Sequence, residues 1–260
     1  MFCEKCGKEV HDEAVVCVSC GCSLKSSPSK IEKIKDNSKR SKKLLSIFQV
    51  FYGMSFIQVF FGLYRHKVWS NHDFDPILDS WDGEYDYLDV IQFDMIYGLF
   101  SIFFLVILII TGIRFIQWFR RAYCNLNRVG INTDKKEGWA AGAWFIPFYN
   151  LFAPQQIMKE IWNKTQKYYK ETTEDDKMVN QWWLLWVLCF ILDNQSDGIG
   201  SSFFGDDLQS QSIISICSNI LWVPLTYTVI KLVNKVRIFE EGMFEKAISE
   251  KENQSDEVIF

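Results

Sequence analysis

"IYGLFSIFFLVILIITGI", Ile96 to Ile113, is a run of 18 residues without a charge. An uncharged run of that length serves little but a membrane span, because a helix needs about 20 apolar residues to cross a hydrocarbon layer of ~30 Å. "LLSIFQVFYGMSFIQVFFGLY", Leu44 to Tyr64, is a second such run of 21 residues. The average composition hides both: 260 residues at 48% hydrophobic, with a mean hydropathy near zero, would fit one or two soluble domains. The net charge of −4 carries as little, since the charge is sorted by segment and its placement is what informs.

Working outward from these runs gives a topology. After the first span come Arg65 to Lys67, then "DFDPILDSWDGEYDYLDVIQFD", with eight acidic residues and no basic one; this loop is expected outside. It lacks calcium-loop spacing, because Leu78 stands five positions before Gly83. Past the second span, "RFIQWFRRAYCNLNRVG" is basic, with Phe119, Tyr123, Leu126 and Val129 on one helical stripe, which predicts a helix lying along the inner membrane surface. "MVNQWWLLWVLCFIL" predicts a short third span with Trp182, Trp183 and Trp186 as an inner aromatic belt, followed by residues 194–212 without Lys or Arg. "SIISICSNILWVPLTYTVI" returns to Lys231, Lys235 and Arg237, with Pro224 as a candidate kink. The expected fold is an all-α integral membrane protein of about four transmembrane helices, residues 44–64, 96–118, 178–193 and 212–232 of a membrane domain 44–240. It is a multi-pass protein of the cell membrane with both termini cytoplasmic and residues 241–260 a charged cytosolic tail.

The N-terminus lacks the apolar core of a secretory signal, so the first span is expected to direct insertion. "CEKCGKEVHDEAVVCVSCG" holds two CxxC pairs, Cys3 with Cys6 and Cys17 with Cys20, ten residues apart and each followed by glycine. Two such knuckles point four thiolates at one centre about 2.3 Å away, the pattern of a structural zinc ribbon, here residues 1–24. A segment this short cannot bury a core, so Zn²⁺ would supply its folding energy. A disulfide pair or a redox motif is the alternative; the latter needs a single CxxC in a βαβ context. Cys22 and His11 are spare donors, and a site closed by four protein ligands leaves no position for catalysis. Cys124, Cys189 and Cys217 read as small core residues. The module resembles zinc ribbons at the N-termini of prokaryotic membrane proteins, which implies regulation or a protein partner.

Residues 25–43, "KSSPSKIEKIKDNSKRSKK", carry eight basic residues against Glu32 and Asp36 and read as a flexible polybasic linker. Such residues set the positive-inside bias and contact anionic lipid headgroups, at about 1 kcal/mol per basic residue near the surface. Nucleic acid is not expected, because the tether holds these residues at the bilayer.

"GWAAGAWFIPFYNLFAP", Gly138 to Pro154, is uncharged and proline-broken; its 17 residues would reach about 25 Å as a helix, short of a full crossing. Both flanks are basic, so it is expected to be re-entrant or to lie in the inner leaflet, with Pro147 breaking its helix. Together with the helix Gln155 to Tyr169 it is the candidate functional centre: Asn150 as polar handle, Trp139, Trp144 and Trp162 fixing depth. The plainer alternative is a cap on the bundle in which Asn150 satisfies local backbone.

The run from Gly138 to Trp162 resembles the domain-of-unknown-function 4328 family of bacterial multi-span membrane proteins, on Trp139, Trp144, the Pro147, Asn150, Pro154 spacing and the helix with Met158, Glu160, Ile161 and Trp162. Trp118, Arg121, Ala122 and Asn125 upstream also fit, and the likeness extends over Lys42 to Glu240. It implies a helical membrane protein and no reaction. The span cores contain no Asp, Glu or His, there is no HExxH or Gly-rich phosphate loop, and Ser46, Gln49 and Gly53 on one face read as helix-packing residues. The expected function is therefore non-enzymatic: a cytosolic ribbon that binds a partner or senses metal, on a helical anchor. A channel or small-solute transporter with residues 138–154 lining a cavity is the alternative, and a lipid-acting enzyme using Lys159 or Glu160 ranks last, since that pair reads as a solvated face.

Overall fold

The computed structural model describes residues 2–3, 6–9, 11, 18–20, 34–70, 73–75, 80–82, 87–196 and 208–257. The architecture is helical: α1 (Ser38–Ser70), α2 (Tyr87–Arg128), α3 (Trp139–Gly142), a 3₁₀ turn (Tyr149–Leu151), α4 (Ala153–Tyr169), α5 (Lys177–Ser196) and α6 (Leu208–Glu257). Between α1 and α2 sits a small antiparallel strand pair, β1 (Asp73–Asp75) with β2 (Ser80–Asp82), with Phe74 in register with Trp81. Among the described residues three helices are long and apolar enough to cross a membrane: α1 over Ser38–Lys67, α2 over Ile91–Arg128 and α6 over Ile213–Glu250. The expected fourth, α5, has 20 residues, about 30 Å of helix. Asn180 and Gln181 at one end and Asp193 and Asn194 at the other shorten its apolar stretch.

Side-chain contacts fix the helix directions. α1 runs antiparallel to α2, with Ser41 beside Trp118 (Nε1 to Oγ 2.9 Å), Phe51 beside Phe104 (4.7 Å between ring centres) and Arg65 beside Asp94 (3.2 Å). It is antiparallel to α6 too, from the Asn37–Glu240 contact (2.9 Å) through Phe51–Trp222 (5.6 Å) to Gly62 against Asn219. α5 opposes α6: Glu174, just before it, pairs with Lys235, and Asp193 near its end accepts from Ser218. One end of the bundle, the base, thus gathers the start of α1, the end of α2, α3, α4, the start of α5 and the distal part of α6.

The core sits in that base. Trp118, Phe119, Tyr123 and Leu126 of α2 are fully buried with Ile157, Ile161 and Trp162 of α4 and Leu232, Val236 and Phe239 of α6. The packing is tight enough that a Cβ on Gly242 of α6 would stand 2.5 Å from the Tyr169 ring. Above the base the bundle is thin, and in the apolar stretch of α2 Leu99, Ile102 and Phe103 are exposed at 70%, 63% and 55%.

The structure alters several expectations. The stripe Phe119, Tyr123, Leu126, Val129 lies on the continuation of α2 and packs on protein, so it forms no separate surface helix. α2 stops in a Schellman turn, with Ile131 N–H donating to Leu126 O (3.0 Å), Gly130 N–H to Asn127 O (3.0 Å) and Gly130 at φ 83°. The last part of the expected flexible linker is ordered: residues 34–37 pack into the base and α1 already begins at Ser38, because Asn37 O receives the Ser41 N–H (2.9 Å) and the Asp36 carboxylate caps the Ser38 N–H (2.8 Å). After Phe239 the charged tail continues α6 as helix to Glu257. Ser46, Gln49 and Gly53 face outward, and Ser41, Ser55 and Gln58 are the polar residues α1 buries.

Candidate functional site

At the N-terminus the CxxCG turn forms as its spacing requires. Gly7 N–H donates to Cys3 O (2.8 Å), Cys3 N–H to Lys8 O (2.9 Å), and Gly7 sits at φ 69°, where a Cβ would be strained. The sulfurs of Cys3, Cys6 and Cys20 lie within 4.8 Å of one another, Cys3 and Cys20 3.7 Å apart. That separation is far beyond an S–S bond of about 2.05 Å. It matches the ~3.8 Å edge of a tetrahedron whose centre is ~2.3 Å from each thiolate. Three thiolates so placed can hold a metal ion. Cys17, expected as the fourth ligand, and Cys22 lie outside the described residues; His11 is exposed and apart from the cluster.

Residues 138–154 double back instead of extending. After the single turn of α3 the chain bends so that the Trp139 and Tyr149 rings meet at 5.0 Å. Phe148 stands at φ 62°, ψ −40° and Tyr149 N–H reaches Pro147 O (2.7 Å), a γ-turn of the strained, positive-φ kind. Ala140, Ala143 and Ala153 are buried on the bundle, and Trp144 lies edge-on to Phe115 (5.7 Å) and Trp186 (6.0 Å). Phe145, Phe148 and Phe152 point away, 75%, 82% and 62% exposed. Pro154 occupies the first turn of α4, where its missing N–H costs nothing. The Asn150 backbone N–H donates to Ile146 O (3.0 Å), and its half-buried side chain has no partner among the described residues. Trp162 is in the core, its Nε1 donating to Glu174 O (3.2 Å) against Phe239 (5.0 Å), so it does not mark membrane depth.

Glu160, expected on a solvated face, is buried. Its carboxylate accepts from Tyr123 OH (3.2 Å), Asp134 N–H (3.1 Å) and Lys164 Nζ (3.0 Å), so α4 is locked to α2 and to the loop between them. The Lys164 ammonium also bonds Asp134 (2.8 Å) and holds its carboxyl below the usual range. Lys159 is on the outer side, 3.5 Å from Asp176.

Sequence reasoning missed a second buried carboxylate. The stretch of α6 from Ile213 to Ile230 is uncharged and Lys231, Lys235 and Arg237 follow it, so with ~20 residues to a bilayer Glu240 lies past the spanning segment. It is buried among amides: Asn37 Nδ2 donates to both its oxygens (2.9 and 3.2 Å) and Asn125 Nδ2 to one (3.3 Å). Burial pushes its carboxyl up to about 7, and the two amides and Arg121 only partly oppose that. Asn125 also clamps the incoming chain, accepting from Lys35 N–H (3.3 Å) and donating to Lys35 O (3.0 Å). Beside this node lies a partly open cavity of about 280 Å³ bordered by Ile34, Lys35, Asn37, Arg237, Glu240 and Phe244, and the Asn37 Oδ1 is buried with no partner among the described residues. None of residues 138–154 borders it. The only signal was a pair of asparagines in otherwise apolar or charged runs, and their partner is 203 and 115 positions away.

The stretch from the start of α2 through α4, α5 and most of α6, with its Trp144 cluster and its buried Asn125 and Glu160, is also the part a family model matches: DUF4328, a domain of unknown function, over residues 83–237. The chain belongs to the DUF4328 family. The DUF4328 region starts after α1 and stops three residues before Glu240, so the Asn37–Glu240 contact joins two elements that flank it. No curated protein and no solved structure matches the chain.

Proposed function

We propose that this DUF4328 protein is a non-enzymatic membrane adaptor, in which a cytoplasmic zinc ribbon engages a partner and the helical bundle both anchors it and registers its state. The carrying observation is the seating of Ile34–Asn37. The chain arriving from the cysteine module is gripped through its backbone by Asn125 and through Asn37 by Glu240, so displacement of the module pulls on α2 and α6. The base gathers Lys42, Lys43, Arg114, Arg120, Lys177 and Lys231 at the ends of the apolar runs, while Asp94, the last residue of the acidic stretch, sits at the other end beside Arg65. The positive-inside bias makes the base cytosolic, with both termini on that side and α5 as the returning span. Phe145, Phe148 and Phe152 then rest in the inner leaflet beside Trp182, Trp183 and Trp186. Cys17 completes a four-thiolate zinc site with Cys3, Cys6 and Cys20. The two buried carboxylates hold elements together by hydrogen bonds, which is positioning work and not chemistry.

The test uses the full chain in membranes. Elemental analysis should find one zinc per chain, lost in a Cys17→Ser, Cys20→Ser variant that still inserts; equal zinc in both removes the metal reading. Chelating the zinc should speed hydrogen exchange at Lys35 to Ser41. Unchanged protection there would show that the ribbon is merely tethered, and the relay is then wrong.

A further inference from the structure

Three arginines lie at one edge of the base, where α1 meets α2, and none of them forms an ion pair with a described carboxylate. Arg114 is the first charge after the apolar run that ends at Ile113. Arg114, Gln117 and Arg121 follow at helical spacing on one face of α2. Arg40 reaches across from α1 and donates from Nη1 to Gln117 O (3.1 Å), which places it between the levels of Arg114 and Arg121 along α2. Arg121 donates to Asp36 O, a backbone carbonyl (3.4 Å). Among the described residues none of the three makes an ion pair. Glu240, the carboxylate whose field reaches Arg121, is occupied by Asn37 and Asn125. The Asp36 carboxylate is spent on capping Ser38, accepting from its N–H (2.8 Å) and its Oγ (3.1 Å).

We propose that Arg40, Arg114 and Arg121 form a binding site for the phosphate of an anionic phospholipid. Like charges held together between two packed helices are unfavourable unless an anion joins them, and planar guanidinium forks match phosphate oxygens bidentately. Depth selects the lipid. Seven residues of helix separate Arg114 from Arg121, about 10 Å, and the headgroup layer on each side of the hydrocarbon is ~5–7 Å thick. The triad therefore starts at the hydrocarbon boundary and brackets the layer in which lipid phosphates lie. This differs from the diffuse attraction of the lysines in residues 25–43, because it is built from side chains of two helices fixed by the Trp118–Ser41 bond beside it. It needs the bundle in a membrane and does not depend on the ribbon.

The experiment is native mass spectrometry of the full detergent-solubilised chain titrated with phosphatidylglycerol or phosphatidylcholine. Wild type should prefer phosphatidylglycerol, and Arg114→Gln, Arg121→Gln should reduce that preference about 30-fold at ~1 kcal/mol per lost cation. Lys231→Gln, Lys235→Gln, an equal charge change on another face of the base, should change it clearly less, because neither lysine belongs to the site. Equal losses in the two variants would show diffuse charge and overturn the site, as would no loss in the arginine variant. Arg114→Lys, Arg121→Lys keeps charge and loses the fork, so an intermediate loss is expected even if the glutamine variant fails to fold; a lysine variant equal to wild type overturns the fork. Millimolar inorganic phosphate should not displace the lipid, and displacement would assign the site to free phosphate instead.

Discussion

Helix α2 changes character at Ile113. From Ile96 to Ile113 it is aliphatic and aromatic on every side, yet only 6% of its most apolar stretch is buried in the protein. From Phe115 to Leu126 it carries two arginines, an asparagine and a tyrosine, and Trp118, Phe119, Ala122, Tyr123 and Leu126 are all at or below 1% exposure. The more hydrophobic half has fewer protein neighbours. In water that would be a contradiction; in a bilayer lipid tails are as apolar as leucine, so the first half gains nothing by packing on protein. The second half packs its apolar side chains against α4 and α6, where burial away from water stabilises in the ordinary way.

The sharpest way to break this comparison is truncation at one site in each half. Trp118→Ala should lower stability by about 3–5 kcal/mol, the usual range for emptying a packed aromatic site, and it also removes the indole N–H that Ser41 Oγ accepts. Leu99→Ala, at 70% exposure, should stay within about 0.5 kcal/mol. Thermal unfolding in one detergent decides it, and equal losses at the two positions would show that α2 is packed along its whole length.

A smaller effect tests whether the base behaves as a water-excluding interior. Glu240 has its carboxyl raised from 4.5 to about 7 by burial, so the folded chain binds more protons than the unfolded one between those values. Its contribution is intact below pH 4.5 and is lost as pH rises through about 7, a loss of up to about 3 kcal/mol by roughly pH 8. Glu240→Gln should flatten that decline and be the more stable protein at the alkaline end. A variant with the wild-type slope would mean that water reaches the carboxylate.

The apolar runs, the CxxC knuckles and the break at Pro147 could be read from residue order alone, because each depends on neighbours within a few positions. What could not be read depends on who stands opposite. The stripe Phe119, Tyr123, Leu126, Val129 has the same period whether it faces lipid headgroups or α4. Glu160 has the spacing of a solvated residue and is buried because Tyr123 and the loop at Asp134 fold over it. Asn37 lies in a polybasic run whose composition reads as flexible, and only Glu240 and the Trp118 carbonyl (3.4 Å) give it a fixed place.

The smallest predicted effect concerns Phe148. Glycine adopts φ 62° freely, so Phe148→Gly should stabilise the chain in detergent by about 1 kcal/mol while weakening retention of residues 138–154 at a bilayer surface, read by quenching of Trp139 with lipid-borne bromine. Unchanged quenching would mean that the exposed phenylalanines make no lipid contact.

Helix α6 is continuous for 50 residues, about 75 Å of rod, and less than half of it can lie in hydrocarbon. Such a rod is a lever with its fulcrum in the base, where Gly242 lets Tyr169 press against it. A tilt of about 5° over that length carries one end about 6 Å relative to the other. A shift of that size, comparable with one helical turn, falls on the free ends of the rod, whereas Glu240, about 3 Å along the helix from Gly242, moves only about 0.3 Å and keeps its amide partners, so the tether of the cysteine module stays fixed while the ends of α6 swing.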